Sequence, residues 1–478
     1  MKRRLVPLAL AALLALGAAH VPAATAAGPG LTMQQTEEVV ASYTHLTAEF
    51  YKKVDRQAAL DGARTSMVDY LKKHHVANAT LPALRASDDD VTNVEALNRE
   101  VATAVTEYSS KLEPVESISP SSQIAYAAIA GVLGSVKDRY TVFLSPKEYA
   151  ALNEGLDGTS FGGVGISYEI DDKTTFLHVQ NVIIDGPSDK AGLNADDMIT
   201  AIDGTGVPAL LAPAIAAQKD PEKRLAAEQA LVTKALRGNP GTRVRLNVRR
   251  GSTDLEPVTV TRAEIHVPSV LAKMLPGNIG YVELAVFGQT TAQELNTALK
   301  HLDAQGAKAY VLDLRRNGGG YLNAAVDVSS KFIANGPIVS VQSRAGTDTE
   351  YDAENTAIAP RPLAVLVDQY TASASEITAG AIQDSGVGTL VGTKTFGKGV
   401  VQTIFPMRDG SAIKITTARY FTPKGRDINS IGIQPDIESP MPKDVTNIRF
   451  RDPNTDPQMI AALRFLGTKL AVVNPPAQ

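Results

Sequence analysis

The chain has no cysteine, which closes two routes at once: no lipid can be held on a thioether, and no disulfide can brace the fold. Tryptophan is absent too, so no site depends on one. The 47 Lys and Arg residues nearly balance the 51 Asp and Glu residues, leaving a formal charge of -4 and no long basic block. Nucleic acid is therefore not read as a partner. None of the seven His is followed by Glu, which removes the zinc peptidase motif His-Glu-x-x-His. No fixed-period repeat marks a solenoid.

The chain opens with Lys2, Arg3 and Arg4, an apolar stretch from Leu5 to Ala19, and Ala-Thr-Ala ending at Ala26. This reads as a cleavable secretory signal. The stretch is short for a bilayer span and contains Pro7, so a retained anchor is the lesser reading. The mature chain is expected to be exported, periplasmic or otherwise extracytoplasmic, and soluble. Removing 26 residues from 478 leaves 452, more than one hydrophobic core usually serves, so two to four domains are expected.

Residues 27–155 are rich in Ala, Leu, Glu and Lys at helical spacing, which predicts a helical N-terminal region. His74 and His75 are adjacent, project from different sides of a helix and lack a third ligand, so they read as a solvated face. Asp88, Asp89 and Asp90 lack the spacing of a calcium loop and read as a plain loop. From 156 to 266 short alternating segments between Gly, Asp and Pro turns predict a small β-rich domain. A helical stretch at about 207–230 reads as an insertion in it. From 267 to 440 strands alternate with helices, which argues for parallel crossover units. Residues 441–478 form a C-terminal extension. The fold class is therefore multidomain α+β.

Three stretches carry chemistry. In TASASEITAGAIQDSG, Ser373 and Glu376 fit a capping box, yet the apolar run PLAVLVDQY before them predicts a buried strand ending in a tight turn. Ser373 then sits at a strand end and a helix start, where a cap and a nucleophile look alike. In DLRRNGGGYL, Asn317 is followed by Gly318, Gly319 and Gly320, which read either as a plain turn or as N–H donors for an oxyanion. In GTLVGTKTFGKGVVQ, Lys398 lies between two glycines and Gln402 follows. A right-handed crossover brings Lys398 to the sheet edge that carries Ser373. A neutral, desolvated amine there could accept the serine proton, and Gln402 could orient it. Two other serine motifs fail on context. GTSFG, containing Ser160, has no strand-turn-helix elbow, and Ser411 and Lys414 in SAIK fall at an odd offset on a strand.

With these stretches in view, residues 119–437 resemble the carboxyl-terminal processing (tail-specific) serine peptidases, exported proteins that carry a PDZ domain. The landmarks are DRYTVFLSPKEY, FGGVGI, DLRRNGGG, SASEI, GTKTFGKGVVQ and TARYFTPKGRDINSIGIQPDI, in the family's order. The resemblance implies an α/β protease core of the crotonase or ClpP kind over 267–440 and a PDZ domain over 156–266. It places the nucleophile on Ser373, the general base on Lys398 and its supporting glutamine on Gln402. The oxyanion donors would be Ala374 and either Gly318 or Gly319. Phe161, Gly162, Gly163, Val164, Gly165 and Ile166 would form the tail-binding loop and strand, where free N–H groups suit a terminal carboxylate. The implied substrates are proteins or peptides with free carboxyl termini. A homo-oligomer or an adaptor stays open, and no metal or organic cofactor is implied. The reading from another class is a non-catalytic PDZ protein that binds tails, with Ser373 only capping its helix.

Overall fold

The computed structural model describes residues 30–442 and 451–473, apart from 116–117, 158–159, 172, 184–185, 219, 267 and 347. The leader lies outside the described residues. Two compact units emerge, one of residues 157–269 and one of the chain on either side of them.

The larger unit is organised by a six-stranded sheet in the order Val270–Leu275, Ile279–Leu284, Ala309–Asp313, Leu363–Val367, Thr389–Gly392, Ile437–Glu438. The first pair is antiparallel and every later pair parallel. All five residues of Leu363–Val367 are buried, as befits a strand covered on both faces. Alternation divides them. Leu363, Val365 and Val367 join the core formed with helices Thr291–Ala304, Leu322–Ser329 and Ala374–Ser385. Ala364 and Leu366 face the other way and meet Met459, Ala462 and Leu466 of the helix Pro457–Val473. The C-terminal extension is thus a layer of the core.

A second sheet is built on the hairpin Val400–Pro406 and Ala412–Phe421, which turns at Asp409-Gly410. The helices Met33–Glu49, Arg56–Lys73, Asp90–Tyr108 and Pro120–Gly134 pack in one core that also takes in Ile413 and Ile415 of the hairpin. Gly62 and Gly131 let two of these helices cross closely, since a Cβ on either would stand within 2.4 Å of the other's carbonyl oxygen. The acidic run proves structured. Asp89 caps the third helix by accepting from the Thr92 N–H at 2.9 Å, and Asp90 pairs with Arg56 at 2.8 Å.

The smaller unit is antiparallel, centred on Ile166–Ile170, Leu177–Val182, Met198–Ile202, Arg243–Arg250 and Val258–Thr261. Helices Val207–Ala217 and Pro221–Leu236 are no appendage to it: Val207, Leu211, Val232 and Leu236 all lie in its hydrophobic core.

Candidate active site

Three adjacent parallel strands deliver the candidate residues to one edge of the larger unit's sheet. Ala309–Asp313 leads into Asn317–Gly320, Leu363–Val367 leads into Ser373, and Thr389–Gly392 leads toward Lys398. They border a cleft of about 370 Å³ whose lining includes Gly318, Gly319, Ser373, Ala374, Lys398 and Gln402.

Ser373 has φ 58° and ψ −119°, a strained backbone for a residue with a side chain. Its surroundings hold it there. The Glu376 carboxylate accepts from the Ser373 N–H at 3.0 Å, and the Tyr420 hydroxyl donates to the Ser373 carbonyl at 3.1 Å. The Glu376 N–H goes to that same carbonyl at 2.8 Å.

Gly319 explains the glycine turn. Its φ is +102°, and a Cβ would lie 2.8 Å from the Ala372 oxygen, the Ala374 nitrogen and the Ser373 Cβ. Its N–H is committed to the Asn317 Oδ1 at 2.9 Å, while the Asn317 amide nitrogen donates to the Leu284 carbonyl at 2.8 Å. Among the described residues the N–H groups of Gly318 and Ala374 have no such partner, and both residues border the cleft.

Glu376, beyond its capping role, ties the Ser373 loop to the Lys398 loop. This fully buried carboxylate accepts from the Thr395 hydroxyl at 2.6 Å, the Gly397 N–H at 2.7 Å and the Lys398 N–H at 2.8 Å, besides Ser373. Burial pushes its carboxyl upward, and these hydrogen bonds oppose that rise. Lys398 follows Gly397, where a Cβ would meet the Gly432 nitrogen at 2.8 Å, and its carbonyl shares the single Tyr420 hydroxyl proton with the Ser373 carbonyl, standing nearer to it at 2.6 Å.

The Lys398 amine is drawn down to about 8, first by burial, then by the positive charges of Lys414 and Arg139. Its Nζ stands 4.9 Å from the centroid of the Tyr140 ring. Among the described residues no hydrogen bond joins it to Ser373 or Gln402. The Gln402 amide, at a bulge in its strand, donates to the Val400 carbonyl at 3.3 Å. Ser411 stays away from the cleft, buried against Asp409 at 2.6 Å. Ser411 and Lys414 lie on opposite faces, as their odd spacing implies: with Ile413 and Ile415 in the helical core, alternation turns Lys414 the other way, where it lines the cleft. Ser160 begins a strand of the smaller unit.

In that unit the candidate tail-binding loop runs from the strand Ser160–Gly163, paired with Ala263–His266, into the strand Ile166–Ile170. Gly165 has φ +77°, and the Val164 and Gly165 carbonyls accept from Ser188 and Ile183, each at 3.0 Å. The Gly162 carbonyl accepts from the Gly238 N–H at 2.9 Å. The Phe161 ring carries the Arg237 guanidinium, 3.6 Å from its centroid.

Residues 278–439 match the model of Peptidase family S41. The chain is 36% identical over 356 residues to the carboxyl-terminal-processing protease of Synechocystis sp., an alignment spanning 73% of this chain and 78% of that one. The chain belongs to peptidase family S41. Within this family it is also 33% identical over 316 residues to the carboxy-terminal processing protease CtpA of Bacillus subtilis, covering 66% of this chain and 64% of that one. A solved structure of a photosystem II D1 C-terminal processing protease aligns with 85% of this chain and 93% of its own, at 28% identity and a TM-score of 0.44. As an S41 member the chain is a serine-type peptidase.

Proposed function

We propose that the chain is an exported endopeptidase that cleaves protein substrates near their carboxyl termini through an acyl-enzyme on Ser373. The observation that carries this reading is the gathering in one cleft of a strained serine, a lysine drawn toward neutrality and two unpartnered N–H groups. The neutral Lys398 amine accepts the Ser373 proton as Oγ attacks the scissile carbonyl. The N–H groups of Ala374 and Gly318 hold the oxyanion; Gly319 is the weaker candidate because its N–H already serves Asn317. Lys398, now an ammonium, protonates the leaving amine, whose C–N bond breaks. Water then attacks the ester carbonyl, giving its proton to Lys398, and the ester C–O bond breaks as Lys398 passes that proton to the Ser373 Oγ, releasing the peptide acid and free Ser373. Gln402 orients the amine once a substrate draws its side chain from Val400. The smaller unit is a PDZ domain in this reading, holding the substrate's terminal carboxylate at Phe161–Ile166. The leader Met1–Ala26 directs export to the periplasm or an equivalent space.

The test is covalent labelling. A fluorophosphonate should modify the wild-type chain at Ser373, located by peptide mapping, and leave Ser373→Ala unlabelled. Labelling at another serine, with Ser373 untouched, would overturn the assignment.

A further inference from the structure

Lys414 plays no part in the reaction as written, yet it borders the same cleft as Lys398. Its place is fixed by two registers. Across the hairpin it pairs with Ile404, another residue of the cleft, and on the opposite side of its strand it pairs with Val142. Half-buried, it makes no ion pair among the described residues. The carboxylate that acts on it is Asp138, which already accepts from the Thr141 and Thr416 hydroxyls at 2.7 and 2.5 Å. Burial pulls the Lys414 amine down from its ordinary value and Asp138 opposes that pull; in its charged form it disfavours protonation of a second amine beside it.

We propose that Lys414 is a positioning residue of the peptidase reaction, its ammonium keeping the neighbouring Lys398 amine in the neutral form that can accept the Ser373 proton. The inference rests on the Ser373–Lys398 reading above. The groups acting on Lys398 come from every side: Lys414 from the hairpin, Arg139, Asp138 and the Tyr140 ring from the segment after the fourth helix, Glu376 from the helix that Ser373 begins, and Tyr420 at its carbonyl. Lys414 and Arg139 favour the neutral amine. Glu376, Asp138 and the Tyr140 face favour the charged one. Burial is the largest influence drawing the amine down, with Lys414 next and Arg139 after it.

The test is the pH dependence of kcat/KM in opposed variants of the full chain. Lys414→Met should move the acid limb alkaline by about one pH unit, a roughly tenfold loss on the slope of the limb that is recovered once pH exceeds it. Lys414→Arg should leave the limb in place. Lys414→Gln, which keeps a polar side chain but no charge, should move the limb as Lys414→Met does, so the test stands even if the apolar variant fails to fold. A loss uniform over all pH in Lys414→Met, or limbs that do not move in either neutral variant, would overturn the proposal. Lys398→Ala in the same assay separates the two claims: substantial turnover there removes the base itself, whereas an inactive Lys398→Ala beside unmoved limbs removes only the role of Lys414.

Discussion

At the scale of the residue, the site depends on a carboxylate that touches neither the scissile bond nor the cleft. Glu376 accepts four hydrogen bonds, one from the serine loop and three from the lysine loop, so it fixes the distance between the two halves of the chemistry. Glu376→Gln keeps the size but points an N–H₂ at N–H donors. It should cost about 10²-fold in kcat with KM little changed, as expected when reacting groups are misplaced by an ångström. Steady-state kinetics beside a thermal melt checks this, and an unchanged kcat would refute it. The position of Ser373 between strand and helix was legible from sequence because a buried apolar strand ran straight into small hydroxyl residues and a helix. Glu376 looked like half of a capping box, which it also is, and nothing local revealed that residues 395–398 fold back onto it. The choice between Gly318 and Gly319 was equally hidden, since it turns on where the Asn317 side chain points.

At the scale of elements, the glycine turn is braced from below by a segment that sequence reading left as an extension. The Arg315 guanidinium is fully buried, bonded to Asp313 at 3.0 and 2.7 Å and to Asp456, just before the last helix, at 2.7 Å. Asp456→Ala leaves Arg315 paired with Asp313 but strips a buried charged donor of one acceptor, so it should lower stability by about 1 to 3 kcal/mol, read from chemical denaturation. A change below about 1 kcal/mol would show that the extension merely covers the sheet. The N-terminal helices carry a pH-dependent weakness. Glu100 is buried with neither carboxylate oxygen hydrogen-bonded among the described residues, and burial raises it from 4.5 to about 7. Its folded value lies above its unfolded one, so the stability present below pH 4.5 is lost as pH rises through 7. Glu100→Gln should accordingly melt at a higher temperature than wild type at pH 8 and lose that advantage at pH 4.5. Parallel melting curves across that range would contradict the burial argument. The helices themselves were legible from their spacing. Lys414 was not, because which face of its strand is dry depends on where those helices dock.

At the scale of the whole molecule, the chain combines a peptidase unit with a smaller antiparallel unit whose helices complete its own core. The alternating strands of that unit were legible. The helical stretch at about 207–230 read as an insertion because sequence spacing shows an apolar stripe without showing what it packs against. If the smaller unit reads the terminal carboxylate, a peptide amidated at its carboxyl end should bind the full-length Ser373→Ala chain more weakly than the free acid, and wild type should cleave it more slowly. Equal binding of the two peptides, measured by calorimetry, would remove the carboxylate from recognition. The central claim is that a neutral lysine activates a serine. It is tested most directly by kcat/KM against pH for wild type together with turnover of a folded Lys398→Ala. The account predicts a single ionisation near pH 8 on the acid side of the wild-type profile and no measurable turnover in the variant. Near-normal turnover in Lys398→Ala would contradict it.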